Sequence, residues 1–249
     1  MIAFLTSTPS GAYRREESGP LPINSANGLL SSLHACWPEN ARVLTVSADP
    51  AAYHINDSIE TWYHSLFPLS GLSFSELRTC DYRDEAAAQD LHSYDVVILS
   101  GGHVPTQNAF FHRIGLREAL QDFRGILISI SAGTMNCAEL VYAQPEMPGE
   151  STDPTYQKFL PGLGLTDLMI LPHYQAVRGD MLDGKRLFED ITYADSYGHH
   201  FYALPDGSYV RLENGSAYLC GECWEIHDGQ IRRICADGDV LIFKNKGAL

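Results

Sequence analysis

The chain has 249 residues, 45% hydrophobic and 19% charged, and 17 Lys plus Arg against 31 Asp plus Glu give a formal net charge of −14. That length buries a core without disulfide or metal staples, and the composition excludes wholesale disorder. So acidic a surface repels phosphate backbones and anionic lipid, so neither nucleic acid nor a membrane is an expected partner.

No apolar run reaches the ~18 residues of a membrane helix. The start, Met1 to Thr6, has neither the basic region nor the long apolar stretch of a signal peptide, so a cytoplasmic location with reduced thiols is expected for Cys36, Cys80, Cys137, Cys220, Cys223 and Cys235. Cys220-x-x-Cys223 lacks a second ligand pair at zinc spacing, and the plainer reading is two strand residues flanking a Gly-Glu turn.

In chain order, residues 2–6 read as a first strand, 26–37 as a helix stopped by Pro38, and 42–47 as a second strand. Residues 57–67 follow as a helix with Ile59, Trp62 and Tyr63 on one face, then a strand over 72–77 and a short helix over 85–91. A strongly β segment over 95–100 ends in Gly101-Gly102. A helix over 106–123, broken near Gly115, leads to a buried strand over 125–130 and a helical stretch to about 141. Residues 144–156, rich in Pro, Gly and acid, form a loop that is either a lid or a passive excursion. A strand over 168–171 runs into Pro172-His173, and 181–192 reads as helical. From His200 onward short strands alternate with turns at Asp206-Gly207, Asn214-Gly215, Asp228-Gly229 and Asp237-Gly238. Continuous apolar strands alternating with helices predict an α/β fold. It is a mostly parallel, doubly wound sheet with helices on both faces, and residues 200–249 form an antiparallel extension or a small added sheet. No linker or repeat divides residues 1–249, so one domain is expected. Tyr209, Tyr218, Trp224 and Phe243 in the tail suit core and edge packing, or a homodimer contact.

Ile128-Ser129-Ile130-Ser131-Ala132-Gly133 carries the sharpest chemical signal. A hydrophobic strand running straight into Ser, two small residues and a helix is the layout of a nucleophile elbow. The plainer alternative is a Ser-rich turn opening a helix. In an elbow, Ala132 and the helix start offer N–H groups to an oxyanion. His173 follows a strand end, where an open parallel sheet places its site, though a loop histidine is the commoner case. His199-His200 is a rival pair placed at a strand's beginning. Asp206, in Pro205-Asp206-Gly207, is either an acid that orients a base or a simple β-turn residue. Gly101 and Gly102 let backbone approach a substrate as a second oxyanion donor, or merely turn the chain. Weaker candidates to line a substrate pocket are His103, Tyr174, Gln175 and Arg178.

Gly101-Gly102, Ser131-Ala132-Gly133, Pro172-His173 and Pro205-Asp206-Gly207, in that order, resemble the peptidase E family of serine peptidases, which includes aspartyl dipeptidase and cyanophycinase. With the opening strand and the Gly-Leu-Gly-Leu stretch at 162–165, the likeness runs from the N-terminus to at least residue 210. The order Ser, His, acid differs from the Ser, acid, His order of α/β-hydrolases.

The resemblance implies a sheet like that of class I glutamine amidotransferases and a Ser131-His173-Asp206 triad acting on a small peptide or isopeptide bond. It implies no metal and no cofactor. Three positions depart from the family pattern: Ser129 replaces a Gly, Asp206 replaces a Glu, and Asp183 stands where aspartyl dipeptidase keeps an Arg for the substrate carboxylate. Arg178 and Arg186 are the nearby cations. Strict Asp specificity is therefore not expected. A non-catalytic, ligand-binding member of the same fold is the alternative. A glutamine amidotransferase is disfavoured, because the nearest thiol, Cys137, lies six residues past Ser131.

Overall fold

The computed structural model describes residues 1–10 and 21–247. Its central sheet has eight strands in the order β16-β13-β12-β1-β5-β4-β2-β3. The parallel part comprises β1 (Ile2–Thr6), β5 (Ile126–Ile130), β4 (Val96–Leu99), β2 (Ala41–Val46) and β3 (Phe74–Cys80). The tail adds β12 (Tyr209–Glu213), β13 (Ser216–Cys220) and β16 (Val240–Lys244), all antiparallel.

Side-chain alternation along the inner strands divides the core into two layers. Phe4, Val43, Val96, Ile98, Ile126 and Ile128 face α1 (Leu29–Cys36) and α2 (Tyr53–Leu69), meeting Leu33, Tyr63, Leu66 and Phe67. Leu5, Leu44, Val97, Leu99 and Leu127 face the opposite way, toward Phe110 of α3 (Val104–Arg113) and Leu120 of α4 (Leu116–Gln121). Gly115, at φ 62, makes the expected break between those two helices. Strands apolar on both faces are the signature of a covered parallel sheet, each buried Leu or Ile contributing about 2 kcal/mol.

A second sheet, in the order β15-β14-β11-β8, uses β8 (Met169–Leu171), β11 (His200–Ala203), β14 (Cys223–His227) and β15 (Gln230–Cys235). The tail thus both extends the main sheet and builds an added one. Its first strand departs from the antiparallel expectation, for β11 runs parallel to β8. Cys220 ends β13 and Cys223 opens β14, with Gly221 at φ 95 between them.

Two helical expectations are corrected. The helix after Ser131 is only α5 (Ala132–Asn136), and the chain goes on into β6 (Leu140–Tyr142), which pairs with β7 (Phe159–Pro161). The Gly-Leu-Gly-Leu segment takes the carbonyls a longer helix would use: Leu163 N–H donates to Asn136 O and Leu165 N–H to Cys137 O, both at 2.9 Å. Gly162 permits that approach, since a Cβ there would stand 2.1 Å from Ala138 O. Residues 181–192 form a hairpin, β9 (Met181–Leu182) and β10 (Lys185–Arg186), then a π-helical turn Leu187–Thr192 leading into α7 (Tyr193–Asp195). Asp183 and Gly184, at φ 51 and 79, supply the two left-handed residues of a tight hairpin turn. Leu187 and Ile191 stand at helical spacing, but Asp-Gly between short runs favours the hairpin.

Candidate active site

Ser131 sits at the C-terminal end of the central strand β5, between β5 and α5, at φ 50 and ψ −112. A non-glycine residue there costs about 1–3 kcal/mol and persists only where its surroundings enforce it. They do so from both sides: Ser131 N–H donates to Thr6 O at 3.0 Å, and Met135 N–H to Ser131 O at 3.0 Å. Gly133 is obligatory, because a Cβ would lie 2.6 Å from Leu99 O. Ser129, expected as a departure at the elbow, is accommodated within the sheet. It is fully buried, its Oγ pairs with Thr134 Oγ1 at 2.8 Å, and Thr6 Oγ1 donates to its carbonyl at 2.8 Å.

His173 follows β8 in a left-handed conformation, φ 60, and opens the short helix α6 (Tyr174–Val177). Its backbone N–H donates to Ser7 Oγ at 3.3 Å, and Ser7 Oγ donates in turn to Leu204 O at 3.2 Å. Its Nδ1 lies 2.7 Å from Asp206 Oδ1, with only 8% and 5% of the two side chains exposed. An ionised carboxylate accepts, so Nδ1 carries the proton and Nε2 is the basic nitrogen. Asp206 is gripped from its other side, where Gln175 Nε2 donates to Oδ2 at 2.6 Å and Asp206 N–H donates to Gln175 Oε1 at 2.9 Å.

Gly102, Ser131, Ala132 and His173 line one cleft of about 180 Å³, together with Val104, Met135, Gln144 to Glu146, Val177, Asp180 to Leu182 and Leu187. Gly101 packs against the elbow, a Cβ there lying 3.2 Å from Ser131 Cβ, and Gly102 abuts Ala48, where a Cβ would come within 2.6 Å. None of the backbone hydrogen bonds among the described residues uses the Gly102 N–H. The Ala132 N–H, in the first turn of α5, has no partner within the helix. With α5 only five residues long, these individual N–H groups matter more than a helix dipole.

The four weaker candidates fall outside the cleft lining. Tyr174 is buried against Phe188 and Trp224 as core packing. Gln175 holds the acid, Arg178 is exposed, and His103 bridges Thr106 Oγ1 at 2.7 Å and Glu150 Oε1 at 2.8 Å. Arg186 is engaged with Asp190 at 2.6 Å. The Asp183 carboxylate straps the 144–156 loop, accepting from Gly149 N–H at 2.8 Å, Ser151 N–H at 3.2 Å and Ser151 Oγ at 2.8 Å. Those donors, the Gly149 amide foremost, hold it below the usual carboxylate range.

The sequence reading missed Glu146, which reaches into the cleft from that loop; its only signal was an acid within a Pro-rich excursion. Burial holds the Glu146 carboxyl above its ordinary range, against the opposing pull of His103, the Val104 N–H and His173. Cys137 is fully buried, donates to Gly133 O, and burial pushes its thiol up to about 12, which removes it as a nucleophile. Among the described residues no group of three or more His, Cys, Asp or Glu side chains is placed to hold a metal, and no helix is long and apolar enough to cross a membrane.

The model of peptidase family S51 matches residues 37–220. A solved structure of a Listeria monocytogenes EGD-e protein, provisionally assigned to peptidase E, superposes with a TM-score of 0.52 at 15% identity, covering 95% of this chain and 98% of that one. At that identity the likeness shows the fold alone. No curated protein matches the chain.

Proposed function

Because the chain belongs to peptidase family S51, we propose that it is a serine peptidase acting through Ser131, His173 and Asp206 on the amide bond of a small peptide. The observation that carries this reading is the strained Ser131, opening on the same cleft as a histidine whose far nitrogen is held by a buried carboxylate. In the proposed cycle, His173 Nε2 takes the Ser131 hydroxyl proton as Oγ attacks the substrate carbonyl carbon. The N–H groups of Gly102 and Ala132 receive the oxyanion, an interaction of about 3 kcal/mol per good donor. The protonated imidazole then gives its proton to the leaving amine, and the acyl-serine ester remains. Water, deprotonated by His173, hydrolyses that ester and restores the hydroxyl. Asp206 fixes the tautomer and steadies the imidazolium throughout.

The cleft of about 180 Å³ beside Ser131 has room for a substrate side chain. A small peptide or isopeptide is the substrate class we propose. The test is Ser131→Ala. Hydrolysis across a dipeptide panel should fall at least about a thousandfold, and fluorophosphonate labelling should disappear, with the circular dichroism spectrum unchanged. Activity retained in that variant overturns the assignment. A wild-type protein that takes no label but binds a small ligand tightly would be a sensor on the same fold.

A further inference from the structure

We propose that Glu146 is the specificity anchor of this cleft and that it binds a cationic amine of the substrate beside the scissile bond. The inference rests on the serine-peptidase reading and deepens it. Glu146 lines the cavity that contains Ser131 and His173, and its carboxyl group lies close enough to His173 to feel its charge. The residue is exposed overall, and burial by the surrounding cleft nonetheless pushes its carboxyl up. Oε1 accepts one long hydrogen bond, 3.3 Å from Val104 N. Among the described residues, no donor reaches Oε2. A desolvated carboxylate with spare acceptor capacity is best satisfied by a charged donor, and a substrate ammonium is one.

The placement is built. Glu150 Oε2 accepts the backbone N–H groups of Glu146 and Met147, both at 2.9 Å, and its Oε1 is held by His103. Asp183 secures the far side of the same loop through Gly149 and Ser151. Glu146 thus rests on a loop tied down at three points, as a preorganised binding group requires. Among the described residues, the lining includes Glu146 and neither Lys nor Arg. Nothing in that set would receive an acidic substrate side chain.

The ammonium has two sources, the free α-amine of an N-terminal residue or the side chain of a basic one. Kinetics with fluorogenic aminomethylcoumarin amides of Ala, Lys and Asp, each free and N-acetylated, separate them. If the α-amine is read, free Ala amide exceeds its acetylated form in kcat/KM by about tenfold or more, and Glu146→Gln collapses that ratio mainly through KM. If the side chain is read, acetyl-Lys exceeds acetyl-Ala by a similar factor, and the same variant collapses that ratio instead. Glu146→Asp, which keeps the charge, retains the preference in either case. Ratios near one in the wild type, or ratios unmoved by Glu146→Gln, overturn the inference. Fluorophosphonate labelling of wild-type Ser131 is read separately. Labelling without an amine preference removes this inference alone, and absence of labelling and turnover removes the peptidase reading beneath it.

Discussion

Gln175 donates to Asp206 and accepts from it at once, so it fixes the carboxylate plane that faces His173. Gln175→Ala removes one donor to that carboxylate and one acceptor for its backbone. A net loss near 1–1.5 kcal/mol corresponds to about a tenfold fall in kcat/KM. Loss of kcat/KM with an unchanged circular dichroism spectrum assigns the effect to positioning of the acid, and an unaltered kcat/KM would contradict it. The residue scale was partly legible in sequence. Ser131, His173 and Asp206 stood out through their neighbours, whereas Gln175 looked like a pocket residue because no local pattern reveals a side chain reaching 31 positions ahead.

At the scale of elements, the 144–156 loop and the β9–β10 hairpin act as one unit, joined by Asp183 and Lys185, whose Nζ donates to Ser151 O at 3.0 Å. Asp183→Asn weakens the strap, so the Gly149 and Ser151 amides should exchange with solvent faster while the amides of β4 and β5 keep their protection. Acid should produce the same local opening. The Asp183 carboxyl is held below its ordinary 3.8 by the Gly149 amide and the Ser151 donors. For Glu150, burial pushes the carboxyl up, but the Met147 and Glu146 amides and His103 outweigh it and hold it below its ordinary 4.5. Both folded values lie below the unfolded ones. Their stabilisation is therefore complete above those ordinary values and lost as pH falls through the lowered ones. Hydrogen exchange below about pH 4 should show the loop opening before the sheet does; loss of loop and sheet protection together would contradict this. The hairpin departs from the helical expectation, which the four-residue interval between Leu187 and Ile191 favours, because its strands pair across Asp183-Gly184.

For the whole molecule, the formal charge of −14 surrounds a cleft whose lining includes Glu146. Long-range attraction should assist cationic peptides and hinder anionic ones, and salt screens both effects. Raising salt from about 10 mM to about 500 mM, where the Debye length shrinks from about 30 Å to under 5 Å, should lower kcat/KM for a Lys-containing dipeptide and raise it for an Asp-containing one. Equal responses of the two substrates would refute a steering field.

Hydrophobic alternation and punctuation by Gly and Pro lie within a few residues of one another. The sequence by itself therefore determined the strands of the parallel core, the helices between them, and the strand-to-helix turn at Ser131. The same local signals placed the histidine at a strand end and the acid in a turn. Tertiary structure alone decided how far the helix after Ser131 extends, because residues 162–165 capture its carbonyls. It alone decided that the tail divides between two sheets and that Glu146 enters the cleft while Arg178 and Tyr174 stay outside. Those outcomes depend on contacts between segments distant in the chain, which compete with local preference and leave no periodic trace in the sequence.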